Sequence, residues 1–101
     1  MKSIKCLSED IECVLDMAED FAKKAIMYKL EQPNMAKTYY NQSVACMAMV
    51  KDFHNNVVTL IDAYKSEHGE PPAPMMAIYN YLHERHINKA AAIKNLQELY
   101  T

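Results

Sequence analysis

Glycine is almost absent from this sequence. Gly69 is the single glycine among 101 residues, and the four prolines fall at position 33 and within residues 71–74. Because these two residue types break helices and make turns, their scarcity favours a few long helices over a fold of strands and turns. A chain of this length holds one domain with one core, so we expect a single all-α domain over residues 1–101.

Clustered positive charge is also missing. The basic residues are scattered along the chain, Arg85 is the only arginine, and the formal net charge is -2. Phosphate binding relies mainly on clustered lysine and arginine, so we expect no nucleic-acid partner. No stretch approaches the ~20 apolar residues of a membrane-spanning helix, and the N-terminus opens no apolar run of signal-peptide length. We therefore expect a cytoplasmic protein without a membrane partner.

The three cysteines form no recognisable pair. Cys6, Cys13 and Cys46 are an odd number, and no CxxC motif occurs. Each lies within an apolar pattern, so we expect buried, reduced thiols. Reduced thiols fit a reducing compartment such as the cytoplasm.

The N-terminal segment predicts a helix over about residues 4–30, because apolar residues recur there at spacings of three and four. Its start is either at Ser3, in phase with the apolar row, or at Ser8, where Glu9 and Asp10 would suit a first turn. We favour the earlier start. The predicted seam consists of Ile4, Leu7, Ile11, Val14, Ala18, Phe21, Ala25 and Tyr28.

A second helix is predicted over residues 33–68, because Pro33 suits a first turn and Gly69 suits a helix end. Its heptad seam is Tyr39, Ser43, Cys46, Val50, Phe53, Val57, Leu60 and Tyr64. A flanking row widens this stripe and contains Ala36, Tyr40, Met47, His54 and Ile61. A stripe of this width indicates contact with more than one neighbour.

A third helix is predicted over about residues 74–100, after a stiff proline-rich linker. Its apolar face slips in phase near residues 87–90, so this helix is either continuous, or kinked or split there. The face consists of Met75, Tyr79, Leu82, His86, Ala90, Ile93, Leu96 and Tyr100. The short loop between the first and second helices makes these two helices antiparallel neighbours. We expect an antiparallel bundle of three long helices.

Self-association is expected, because three thin helices in a chain of this size bury little as a monomer. Apolar rows on two sides of the second helix and the Ala90–Ala92 run point to a homo-oligomer, a dimer or higher. Tyrosine combines an apolar ring with a polar tip and is favoured at interfaces, although tyrosine and methionine at helical spacing are more often core residues. The interface candidates are Tyr39, Tyr40, Met47, Tyr79 and Tyr81.

Acidic residues are concentrated in the first helix, where no lysine or arginine lies between Cys6 and Phe21. In the predicted heptad, Glu12 and Glu19 take position b, while Glu9 and Asp16 take position f. Those positions point outward. The pattern therefore indicates a solvated helix face in preference to an acidic strip that binds a metal or a partner.

Three histidines are the only candidates for metal binding. His83 and His86 lie three residues apart, and His54 lies beside the second seam. No Glu-x-x-His motif occurs, and the first two seams hold no carboxylate where a bundle metal site needs one. Cys46 and His54 are about 12 Å apart along one helix, too far to form a nucleophilic pair. We expect no catalytic residue, no metal and no cofactor.

A resemblance accompanies these patterns and covers most of the chain. The residues that carry it lie at 28–29, 36–37, 53–55, 68–72, 75–76, 79–83 and 93–97. There the chain resembles a family of small helical proteins from phages and prophages of Gram-positive bacteria, with a ferritin-like helix arrangement. The resemblance implies a ferritin-like helical hairpin and carries no settled activity.

This chain departs from the family in the middle of the second helix. Members often have glutamate and histidine at the positions that Cys46 and Met49 occupy here, and only His54 remains of that group. We expect a non-enzymatic helical interaction protein that binds itself or a phage or host protein. The alternative is a ferritin-like metal-binding protein or oxidoreductase, with His54, His83, His86 and surface acids combined across subunits.

Overall fold

A computed structural model describes the backbone of residues 4–101 and the side chains of residues 9–101. Over this range the chain forms three helices, α1 (Ile4–Tyr28), α2 (Pro33–His68) and α3 (Ala73–Tyr100), and no strand. The predicted all-α bundle of three helices is confirmed. The molecule measures 56 × 22 × 17 Å, a rod whose length is close to that of α2 alone. None of these helices combines the length and the apolar character needed to cross a membrane.

The helix ends follow the local chemistry. α1 is helical from Ile4, which makes the later predicted start at Ser8 wrong, and it ends at Tyr28, just before the predicted residue 30. The Ser3 cap and the side chains of residues 4–8 lie outside the described part. Gly69 ends α2 with φ 82°, and its backbone N–H donates to the Lys65 carbonyl at 3.0 Å. That left-handed backbone suits glycine because it has no Cβ.

α3 is continuous from Ala73 to Tyr100, so the alternative of a split near residues 87–90 is wrong. The apolar pattern slips there because α3 contacts two neighbours. On one side Arg85 and Lys89 face α1, and on the other side His86 faces α2. Because these inward-facing residues are polar, a pattern based on apolar residues alone shows a gap at their positions.

α1 packs against both other helices, whereas α2 and α3 approach each other closely at few backbone positions. α1 and α2 are antiparallel, and the rings of Phe21 and Tyr28 stack on Tyr39 with centroids 6.1 and 5.9 Å away. α2 and α3 are antiparallel too, with the rings of Tyr40 and Tyr100 stacked at 4.7 Å. α1 and α3 therefore run in the same direction.

The core confirms most of the predicted seams of α1 and α2. Leu15 and Ala22 are also buried although they lie outside the predicted α1 seam, because α1 faces two helices and not one. The buried apolar side chains are Ile11, Val14, Leu15, Ala18, Ala22, Ala25, Ala36, Cys46, Val50, Val57, Ile61, Leu82 and Ile93.

The two cysteines with described side chains differ in environment. Cys46 is buried, and burial raises the pKa of its thiol. Cys13 is exposed, so the expectation of a buried thiol is wrong at this position. Cys13 is exposed although it lies between the buried seam residues Ile11 and Val14. The side chain of Cys6 is outside the described part.

Ser43 joins all three helices at the centre of the bundle. Its hydroxyl donates to the backbone carbonyl of Ala18 in α1 at 2.8 Å and accepts from the side-chain amide of Gln97 in α3 at 3.0 Å. Ser43 is fully buried and is the only buried polar side chain among residues 9–101. A hydroxyl can donate and accept at once, so one small side chain satisfies both groups.

We expect Ser43→Ala to lower the free energy of unfolding by about 1–2 kcal/mol, because the partly buried Gln97 amide loses its acceptor. Urea denaturation followed by circular dichroism measures this. Thr59→Ala is the control, since the Thr59 hydroxyl bonds the Asn55 carbonyl within its own helix at an exposed position. The control should stay within about 0.5 kcal/mol of wild type. Equal effects of the two substitutions would contradict a linking role for Ser43.

Candidate functional site

Three imidazoles and one phenol ring meet where α2 packs against α3. The ring of His54 in α2 has its centroid 5.7 Å from that of His83 and 5.1 Å from that of His86. Tyr79 joins the same group, with its ring 6.4 Å from His54 and 5.9 Å from His83. We call these four residues the histidine cluster. The structure thus brings together all three histidines that the sequence singled out.

The antiparallel register of α2 and α3 produces this cluster. His83 and His86 lie almost one turn apart on α3, so both can reach the same point on α2. His54 lies in the flanking row that faces α3. The ring of His54 stacks against that of His83 at an interplanar angle of 29° and is tilted by 46° against that of His86. The rings therefore meet mainly through their faces.

The environment of the cluster disfavours positive charge. Partial burial lowers the pKa of His54, and the nearby His83 lowers it further. Burial also lowers the pKa of His86, with smaller contributions from His54 and His83. The Nδ1 atoms of His54 and His86 are buried and have no hydrogen-bond partner among the described residues. At His54 and His86 the neutral imidazole is the favoured state, because a charged ring there would be desolvated and beside other histidines.

Metal coordination requires ring nitrogens to converge on one point at ~2.0–2.1 Å from the ion. Stacked rings direct their faces at each other instead. Among residues 9–101, no group of three histidine, cysteine, aspartate or glutamate side chains is arranged to hold a metal ion. The geometry therefore describes a polar aromatic contact between two helices.

The acidic face of α1 has partners that the heptad pattern did not indicate. Glu19 binds Lys89 of α3 at 3.2 Å, and Asp16 lies 3.4 Å from the same ammonium group. The oxygen Oε1 of Glu12 lies 2.8 Å from Nε of Arg85, an ion pair without hydrogen-bond alignment.

The prediction of a wholly outward, solvated strip is thus wrong for the half-buried Glu12 and Glu19, while Glu9 is exposed as predicted. The Lys89 hydrogen bond holds the pKa of Glu19 below its usual value, and Lys23 contributes to the same shift. Glu19 is therefore charged, and Glu12, Asp16 and Glu19 all form ion pairs with α3. The sequence did contain a signal for these ion pairs. Arg85 and Lys89 are four residues apart, which is the same spacing as that of Glu12 and Asp16.

A shallow groove of about 530 Å³ lies beside these ion pairs on the outer side of α3. Its lining contains no histidine, serine or cysteine, so no serine or cysteine nucleophile and no imidazole base faces it. Lysine, arginine and carboxylate groups there neutralise one another. The lining residues are Glu19, Tyr81, Glu84, Arg85, Asn88, Lys89 and Ala92.

The five interface candidates occupy different environments. Tyr39 and Tyr40 are half-buried in ring stacks between helices. Met47 and Tyr79 pack against the core. Tyr81 is 57% exposed, so it is the one member of the five whose side chain is mostly open to solvent. Their role at an interface between chains stays a prediction.

Comparison of the chain with protein-family models, with curated proteins and with solved structures finds no match. The resemblance to phage and prophage proteins therefore stays a prediction.

We expect the free energy of unfolding to fall as the pH drops below 6.5, the ordinary pKa of histidine. In the folded chain the pKa of His54 and of His86 is lower, so the unfolded chain binds more protons in this range. Stability is complete above 6.5 and is lost progressively as the pH falls towards the lowered pKa values. Urea denaturation at a series of pH values measures the slope.

His86→Gln should flatten this slope, because it removes one of the two imidazoles whose pKa is lowered in the folded chain. His68→Gln is the matched control, since His68 is exposed at the end of α2 and distant from the cluster. The control should keep the wild-type slope. An unchanged slope in His86→Gln would show that the cluster does not govern stability in this pH range.

Proposed function

We propose that this chain is a non-enzymatic helical interaction protein of phage or prophage origin, which works in the cytoplasm by associating with itself. One observation carries the self-association, whereas the phage or prophage origin rests on the resemblance alone. The stretch of α2 from Ser43 to Val50 has no charged residue on any side of the helix. Only Ser43, Cys46 and Val50 of this stretch are buried in the single chain. A helix segment that is apolar all round is typical of one covered on all sides.

The uncovered part of this stretch forms a continuous apolar face. Val44 is 44% exposed and Met49 is 47% exposed, and Ala45 and Ala48 between them are exposed as well. We call these four residues the outer α2 face. Adjacent exposed apolar residues on one helix mark an interaction surface more strongly than single scattered ones. The two alanines are small, so a second helix can approach the backbone of α2 closely.

The absence of a catalytic role is supported by the chemistry of the nucleophiles. The Cys46 thiol is buried and its pKa is raised, so it is a poor thiolate nucleophile at neutral pH. Ser43 lies in the same seam as Cys46. Its hydroxyl donates to the backbone carbonyl of Ala18 and has no imidazole partner to act as a base. The candidate acids are engaged with Arg85 and Lys89.

We expect purified protein to be a dimer or higher oligomer at micromolar concentration, as measured by analytical ultracentrifugation. Ala48→Glu should shift it towards monomer by at least about tenfold in dissociation constant, because it buries a charge in the interface. Ala63→Glu is the matched control, since Ala63 is exposed on the same helix outside the outer α2 face. A wild-type chain that stays monomeric across this range would contradict the proposed function.

A second candidate, transition-metal binding, is favoured by the meeting of His54, His83 and His86. Ring rotation about the side-chain bonds would have to turn the nitrogens towards one point. We expect the chain to keep no stoichiometric iron, manganese or zinc after dialysis, as measured by elemental analysis. Near-stoichiometric metal that is lost in His86→Gln would favour this candidate over a metal-free interaction protein.

A further inference from the structure

We propose that the partner is a second copy of this chain, docked antiparallel on the outer α2 face about a two-fold axis between Val44 and Ala45. In this arrangement Lys37 of each copy faces Asp52 of the other. This inference rests on the proposed function. It specifies the partner, the relative direction of the two α2 helices and the register between them.

The first observation is a row of exposed residues that runs along α2. Its members are four, four, three and four residues apart, which keeps them on one side of a helix. Relative to the helix axis, this side is opposite to the one that buries Ser43, Val50 and Val57. The row consists of Lys37, Asn41, Ala45, Ala48 and Asp52, all exposed, with Val44 beside its centre.

The second observation is the placement of charge along this row. Lys37 stands at its N-terminal end, Asp52 stands at its C-terminal end, and uncharged residues lie between them. Within residues 9–101 neither charge forms an ion pair with another side chain of its own copy. Each therefore remains available to a neighbouring molecule.

Lys37 and Asp52 of one copy match the opposite charges of a second copy only when the two α2 helices run antiparallel. In a two-fold interface residue i of one copy contacts residue j of the other, and j contacts i. Antiparallel docking pairs positions whose numbers add to the same total, so Val44 faces Ala45, Asn41 faces Ala48 and Lys37 faces Asp52. Parallel docking in register would place lysine on lysine and aspartate on aspartate. Like charges across an interface select against that arrangement.

The same register explains why the outer apolar face is confined to the middle of α2. Residues 33–56 of each copy overlap in this arrangement, with the apolar residues at the centre and the charges at the rim. Residues 57–68 extend past the N-terminal end of the partner's α2. Besides Ala63, their outward side carries the polar residues Thr59, Asp62 and Ser66, which suits exposure to water.

The experiment exchanges the two charges and measures dimerisation by analytical ultracentrifugation. Lys37→Glu alone and Asp52→Lys alone should each weaken the dimer about tenfold, because two-fold symmetry converts both pairs to repulsion at once. The double variant Lys37→Glu with Asp52→Lys should recover wild-type affinity. An equimolar mixture of the two single variants should form a heterodimer that restores both pairs. Lys65→Glu and Asp62→Lys are matched controls outside the overlap and should leave affinity unchanged.

The outcomes separate this inference from the proposed function. A wild-type dimer that Ala48→Glu disrupts, but that neither single charge reversal weakens, would overturn the antiparallel register and keep self-association through the outer α2 face. A wild-type monomer would overturn both. Weakening by each single reversal, together with recovery in the double variant and in the mixture, is the result that we expect. Weakening without recovery would also contradict the register.

Discussion

The Ser43 hydroxyl holds the relative positions of the three helices. It contacts the α1 backbone at Ala18 and the α3 side chain of Gln97, so it sets how far each helix can slide along α2. Apolar packing alone specifies this register less sharply, because alanine and leucine contacts tolerate small shifts. A single satisfied polar group in an apolar core has one favourable arrangement. The histidine cluster and the α1–α3 ion pairs both depend on that arrangement.

Charge and ring contacts fix the orientation of α3. On its α1 side, Lys89 holds Glu19 and Asp16 in a network, which strengthens contacts that would contribute little as isolated surface pairs. On its α2 side, His54 lies between His83 and His86. α3 is thus oriented by polar groups on two sides, with Leu82 and Ile93 as its fully buried apolar contacts. This division leaves the outer side of α2 uncovered, with Val44 and Met49 exposed.

Heptad spacing predicted the number of helices, their approximate ends and most of the core of α1 and α2, because burial against a neighbour repeats with the turn of the helix. It failed where a helix has two neighbours. Leu15 is buried and Glu12 is half-buried for that reason, although a single seam places both outside it. His83 and His86 were recognisable as a pair from their spacing. Their contact with His54 was not, because it depends on the register between α2 and α3, which no local pattern encodes.

We propose that a second copy of this chain covers the outer side of α2. The most direct measurement is isotope-filtered NMR on a mixture of labelled and unlabelled chains, which detects only contacts between different molecules. We expect nuclear Overhauser effects from the Val44 methyl groups of one chain to the Ala45 methyl group of the other. Self-associated protein whose intermolecular contacts all lie on α1 or α3, with none from Val44, Ala45 or Ala48, would contradict it.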